Sequence, residues 1–155
     1  MIHDFIMHVM CPFIGTIGYA VLFNIPKKFY LCCGFTGAAG WLIYHAVVSM
    51  NASAVTASFF GTLAVVLTSR VLSVRKKCPI IIFLVSGILP LVPGAGIYYT
   101  VYYMVTNQLA EAVLRGMESV KTAFAIVLGI VLVLSIPGGI FQLVSTEKGT
   151  RQRRG

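Results

Sequence analysis

The chain is 155 residues long, 58% hydrophobic and only 10% charged, with a mean hydropathy of +0.92. Soluble domains of this size carry about a quarter charged residues, so the composition excludes that class. The net charge of +8 does not point to nucleic acid either, because the basic residues stand in short clusters between apolar runs; anionic lipid headgroups are the fitting counter-charge.

Five apolar segments follow in order, at roughly 5–23, 29–48, 53–74, 79–107 and 120–143. Segments of about twenty residues cross a hydrocarbon core of ~30 Å as helices. The start, MIHDF, has no basic stretch before its apolar run, so no cleavable signal is expected. "FNIPKK" closes the first segment, and the second opens on "CCGFTGAAGW", with Gly34, Gly37 and Gly40 at spacing three. Trp41 and His45 lie toward its far end, where an interfacial role is expected. The third segment carries two adjacent rows of small residues: Ser53, Ala57, Gly61 and Ala54, Ser58, Thr62. Such rows either hold these helices together or dock a second membrane protein.

The fourth segment contains "PLVPGAGIYYT", which a plain membrane helix would not. From Pro79 to Asn107 the run is too long for one straight crossing, and two prolines with two glycines interrupt it past its centre. The expectation is two half-helices meeting near the midplane. Between the fourth and fifth segments, Ala110, Val113, Leu114 and Met117 recur at helical spacing beside Glu111, Arg115 and Glu118. That reads as a short amphipathic helix at the outer interface, its ion pairs solvated. "SIPGG" (Pro137, Gly138, Gly139) interrupts the fifth segment, and residues 145–155 form a basic tail expected to be disordered. The fold class is therefore all-α: a polytopic membrane bundle of about five transmembrane helices, the fourth broken, in one domain over residues 1–144.

Charge sets the orientation. With five crossings, ten of the twelve basic residues (Lys27, Lys28, Arg70, Arg75, Lys76, Lys77, Lys148, Arg151, Arg153, Arg154) share one side and only Arg115 and Lys121 take the other. Lys/Arg-rich short loops mark the cytoplasmic side, which places the N-terminus outside and the C-terminus in the cytoplasm of a plasma-membrane protein.

Irregular backbone at membrane depth is tolerated when buried in protein or lining a cavity. Transporters use broken helices to build substrate sites, one half offering N–H groups to a carboxylate and the other carbonyls to a cation. The candidate substrate-binding residues are therefore Pro93, Gly94, Ala95 and Gly96, followed by Tyr98 and Tyr99, with Arg70 at the inner end of the third segment. The competing readings are a packing kink for the break, an aromatic belt for the tyrosines and snorkelling for Arg70. Cys11, Cys32, Cys33 and Cys78 lack metal-site spacing and read as small apolar fillers, so no metal or cofactor is expected. The carboxylates Asp4, Glu111, Glu118 and Glu147 all fall in terminal or loop positions, which assigns any proton-coupling acid to a partner.

"FNIP", the glycine stripe leading to "GW..Y", "GTLAVVLTSR", the "P..PG" break and "SIPGG" stand in this order along the chain. With them the sequence resembles the threonine/serine exporter family, in particular the small subunit corresponding to the C-terminal half of the longer single-chain exporters. The resemblance implies a membrane transporter acting with a larger membrane subunit on threonine and serine, or on succinate in some two-component members. The competing function is a membrane scaffold that moves nothing. An enzyme ranks third, because the apolar segments hold no HExxH and no convincing Ser–His pair.

Overall fold

The structure, a computed structural model, describes residues 2–136. Pro137, Gly138, Gly139 and the tail 145–155 lie outside the described residues. The helices are α1 (Ile2–Leu22), α2 (Tyr30–Ser49), α3 (Ala54–Lys76), α4 (Ile81–Ile88), α5 (Gly94–Val105) and α6 (Leu109–Leu134), with single 3-10 turns at Lys27–Phe29 and Leu89–Leu91. Every regular element among the described residues is helical.

The helix ends have a common chemistry. All three asparagines of the chain, Asn24, Asn51 and Asn107, follow helix C-termini with φ of 52°, 60° and 60°, and Lys77 does the same at 50°. Asparagine enters the left-handed region at low cost and reverses the chain there. Ile25, Cys78 and Gln108 then donate back to the carbonyls of Ala20, Ser73 and Tyr103 at 3.0, 3.2 and 2.8 Å, closing three of these ends.

By length and composition Lys27–Ser49, Ala54–Lys76 and Leu109–Leu134 can each cross a membrane, and Ile81–Leu91 with Gly94–Val105 make a fourth span bent by 49°. The apolar part of α1 is shorter, Val9–Leu22. Contacts fix the directions. Met7 and Cys11 of α1 lie near Trp41, while Ala20 packs with Phe29 and Cys33. Trp41 and Tyr44 of α2 lie near Ser53 to Val55, while Phe35 and Thr36 lie near Leu67 to Leu72, so α1, α2 and α3 are antiparallel in turn. Thr62 lies on Gly129, and further along α3 the Arg70 guanidinium donates to the carbonyls of Val133 (2.7 Å) and Ile136. The numbers rise together, so α3 and α6 run the same way. The bent α4–α5 pair therefore carries the chain once from one end of the bundle to the other, as the charge pattern requires.

The loops 23–29 and 77–80 meet at one end, where Ile25, Phe29 and Phe83 pack with Cys33 and Cys78. Burial raises the Cys78 thiol pKa and Cys32 adds to it, while Lys28 and Lys76 partly oppose the shift. A shift in this direction disfavours the thiolate that nucleophilic or metal chemistry requires.

The packing is inverted relative to a soluble protein. Thr16, Thr36, Ser58, Thr62, Ser69, Ser86, Ser119 and Thr122 are buried, while Leu31, Phe35, Phe124, Val127, Leu128 and Leu132 are exposed. Leucine gains nothing by leaving lipid, whereas small residues let backbones approach. Most of these hydroxyls donate to a carbonyl of their own helix four residues back, as in Thr16 to Pro12 (2.6 Å) and Thr62 to Ser58 (2.7 Å).

One expectation needs correction. The stretch expected as a separate interfacial helix is continuous with the last span as α6, and its apolar stripe faces outward. Val113, Leu114 and Met117 are exposed, while Ala112, Ser119 and Thr122 face the bundle.

Candidate functional site

The break is built from prolines. Pro90 lies within the 3-10 turn Leu89–Leu91, and Val92 before Pro93 is extended (φ −63°, ψ 132°), the geometry that a following proline imposes. Pro93 itself has φ −75° and ψ 58°, and Gly94 N–H donates to the Val92 carbonyl at 2.7 Å. This is an inverse γ-turn centred on Pro93. Ile97 N–H then donates to the Pro93 carbonyl at 3.0 Å and starts α5. No described glycine has positive φ, so the prolines and not the glycines set the backbone geometry of the break.

Gly94 and Gly96 differ in what a side chain would meet. A Cβ on Gly94 would have nothing within 4 Å; one on Gly96 would run into the Ser119 hydroxyl of α6. Gly94 leaves space open, and Gly96 lets α5 approach α6.

The open space is a cavity of about 560 Å³, at the end of the bundle that carries the 50–53 and 106–108 loops. Residues 90–96 form one wall, Trp41 and Tyr44 of α2 another, and Ser53 to Val55 with Ser58 a third; Arg115, Glu118, Ser119 and Thr122 of α6 complete it. Two helix N-termini, those of α3 and α5, therefore meet the same space, and both present positive dipole ends and first-turn N–H groups. At α3 the Ser53 hydroxyl accepts from Thr56 N–H at 3.3 Å. For the N–H groups of Ala95 and Gly96 no acceptor occurs among the described residues. Ser58 is 2% exposed, and its hydroxyl hydrogen-bonds to none of the described residues.

Of the candidate residues, the cavity brings together Pro93, Gly94, Ala95, Gly96 and Tyr99. Tyr98 and Arg70 are outside its lining. Tyr98 stacks along the outside of α5 on Tyr102, with centroids 6.4 Å apart and 63% exposure. Arg70 acts as a cap: its guanidinium donates to the carbonyls of Val133 and Ile136 at the C-terminal end of α6.

Three lining residues stand elsewhere than the sequence suggests. Trp41, expected at the interface, stacks on Tyr44 at 5.3 Å and lines the cavity. Arg115 and Glu118, expected on a short separate interfacial helix, sit on the long helix α6, one turn apart and 3.7 Å from each other at the cavity edge. Thr122, with Ser119, continues the same face. Spacings of three, four and seven from Arg115 were the available signal.

A membrane-spanning bundle whose broken helix opens on a cavity has the construction of a membrane transport protein. Residues 8–136 match the family described as Threonine/Serine exporter, ThrE, and the chain belongs to that family. It is also 30% identical over 132 residues to an uncharacterized protein from Haemophilus influenzae, an alignment covering 83% of this chain and 44% of that protein. The chain thus spans less than half the length of this relative. No solved structure matches it.

Proposed function

We propose that the chain is the membrane subunit of a two-component exporter that moves small amino acids or carboxylic acids, threonine and serine or a dicarboxylate such as succinate, together with a larger membrane subunit. It works in the plasma membrane with its N-terminus outside and its C-terminus in the cytoplasm. The observation that carries the reading is the cavity at the Pro93 break. There the N-termini of α3 and α5 face a common space that a carboxylate fits. The need for a partner is supported by α5, none of whose residues is buried, and by the chain's spanning less than half the length of its Haemophilus influenzae relative. The binding groups are the backbone of Pro93, Gly94, Ala95 and Gly96, with Tyr99 beside them.

The test is release of labelled threonine, serine and succinate from preloaded cells, with and without this chain and with and without the larger subunit. Export that needs both chains is the expected result. If none of the three compounds depends on this chain, while the protein is inserted normally, the reading fails and a scaffold takes its place.

A further inference from the structure

We infer that Arg115 and Glu118 are the specificity-determining pair of the cavity: Arg115 receives a carboxylate and Glu118 an ammonium group, so that the site takes zwitterionic α-amino acids in preference to dicarboxylates. The inference rests on the export reading and narrows its substrate class.

Among the described lining residues these two carry the only charged side chains, and their signs are opposite. At 3.7 Å their ion pair is longer than a hydrogen bond, and neither side chain is hydrogen-bonded to another described residue. With side chains 51% and 71% exposed, the pair is accessible, and opening it costs little. The helix beneath it is well held. The carbonyls of Arg115 and Glu118 accept from Ser119 and Thr122 at 2.8 and 2.9 Å, and Ser119 packs on Gly96.

An α-amino acid carries its carboxylate and ammonium on one carbon, the arrangement that a pair of opposite charges one helical turn apart can read. Its carboxylate is drawn to Arg115 and to the N–H groups of Ala95 and Gly96, while its ammonium replaces the guanidinium as the partner of Glu118. The exchange leaves no charge unpaired. A dicarboxylate satisfies the positive groups with one end and sets its other end toward Glu118, where like charges repel. Glu118 therefore selects by excluding as well as by binding. Glu111 and Lys121 adjoin the pair along a shallow groove of α6 but do not line the cavity, so they take no part.

The experiment loads cells carrying both subunits with labelled threonine and succinate together, and reads the export ratio per amount of inserted protein. Glu118→Gln is expected to move the threonine-to-succinate ratio toward succinate by at least about tenfold, the scale of one charge-assisted contact. Glu118→Asp keeps the original preference, Arg115→Gln lowers export of both compounds, and Glu111→Gln leaves the ratio unchanged. Normal export with an unchanged ratio in Glu118→Gln, or an equal shift in Glu111→Gln, overturns the pair while leaving the export reading intact. A wild-type complex that moves neither compound overturns the export reading and this inference with it.

Discussion

Gly40 and Gly61 at the α2–α3 contact and Gly94 at the start of α5 do opposite work. At the first contact backbones touch: a Cβ on Gly61 would come within 3.0 Å of the Gly40 carbonyl, and one on Gly40 would run into Val65 and reach the Gly61 carbonyl at 3.4 Å. At the second, Gly94 has open space on its free side. The same residue type closes one part of the bundle and opens another, and the local sequence does not distinguish the two. What distinguishes them is the neighbour. Val65, Leu91 and Thr36 crowd the α2–α3 region, whereas the free side of Gly94 opens on the cavity, and Gly96 two residues on already closes against Ser119 of α6.

Gly40→Leu gives the largest effect that would sharpen this contrast. Overpacking usually costs about 1–3 kcal/mol, and here backbone stands in the way, so folded protein recovered in detergent should fall to background. Unchanged recovery would mean that α2 and α3 are not in close contact. Gly94→Leu should be the mirror image: normal yield and normal partner co-purification, with export reduced at least about tenfold because the side chain enters the cavity. Loss of yield with unchanged export per complex would make the break a packing kink. Gly96→Ala falls between, because its Cβ meets Ser119, and a lowered thermal midpoint should be restored by adding Ser119→Gly. The smallest effect is expected for Arg70→Met. It removes charge-assisted bonds worth about 1.5–3 kcal/mol at most and should lower thermal stability while leaving substrate preference unchanged. A changed preference would return Arg70 to the site.

Much of the architecture was legible because lipid imposes long apolar segments and prolines break them. The helices α2 and α3 and the interruption at Pro90 and Pro93 follow directly from that chemistry. The α6 boundary did not, because Glu111, Arg115, Glu118 and Lys121 lower hydropathy over its first turns without changing its helical spacing. The helical spacing is legible there, but the lowered hydropathy separates this stretch from the last span where the backbone runs on as one helix. Trp41 and Arg70 were illegible for a different reason: both are long side chains near a span end, and only the tertiary arrangement decides whether such a group reaches lipid headgroups, a cavity or a neighbouring carbonyl. The tyrosines divide for the same reason. Tyr98 and Tyr99 are adjacent in sequence, yet successive residues on a helix point about 100° apart, so only Tyr99 turns toward the cavity.

The Arg70 clasp has a mechanical consequence. It fixes one end of α6 to α3, while Arg115 lies about 27 Å away along the helix axis at 1.5 Å rise per residue. Beyond Thr122 toward its start, α6 is steadied mainly by α5, which has no buried residue of its own. The helix is thus held to α3 from Gly129, which meets Thr62 and the Phe59 carbonyl, to the Arg70 clasp, and Arg115 and Glu118 lie on the stretch beyond. Loosening the clasp at Arg70 therefore leaves the cavity rim in place, because the close contact at Gly129 stands between the two.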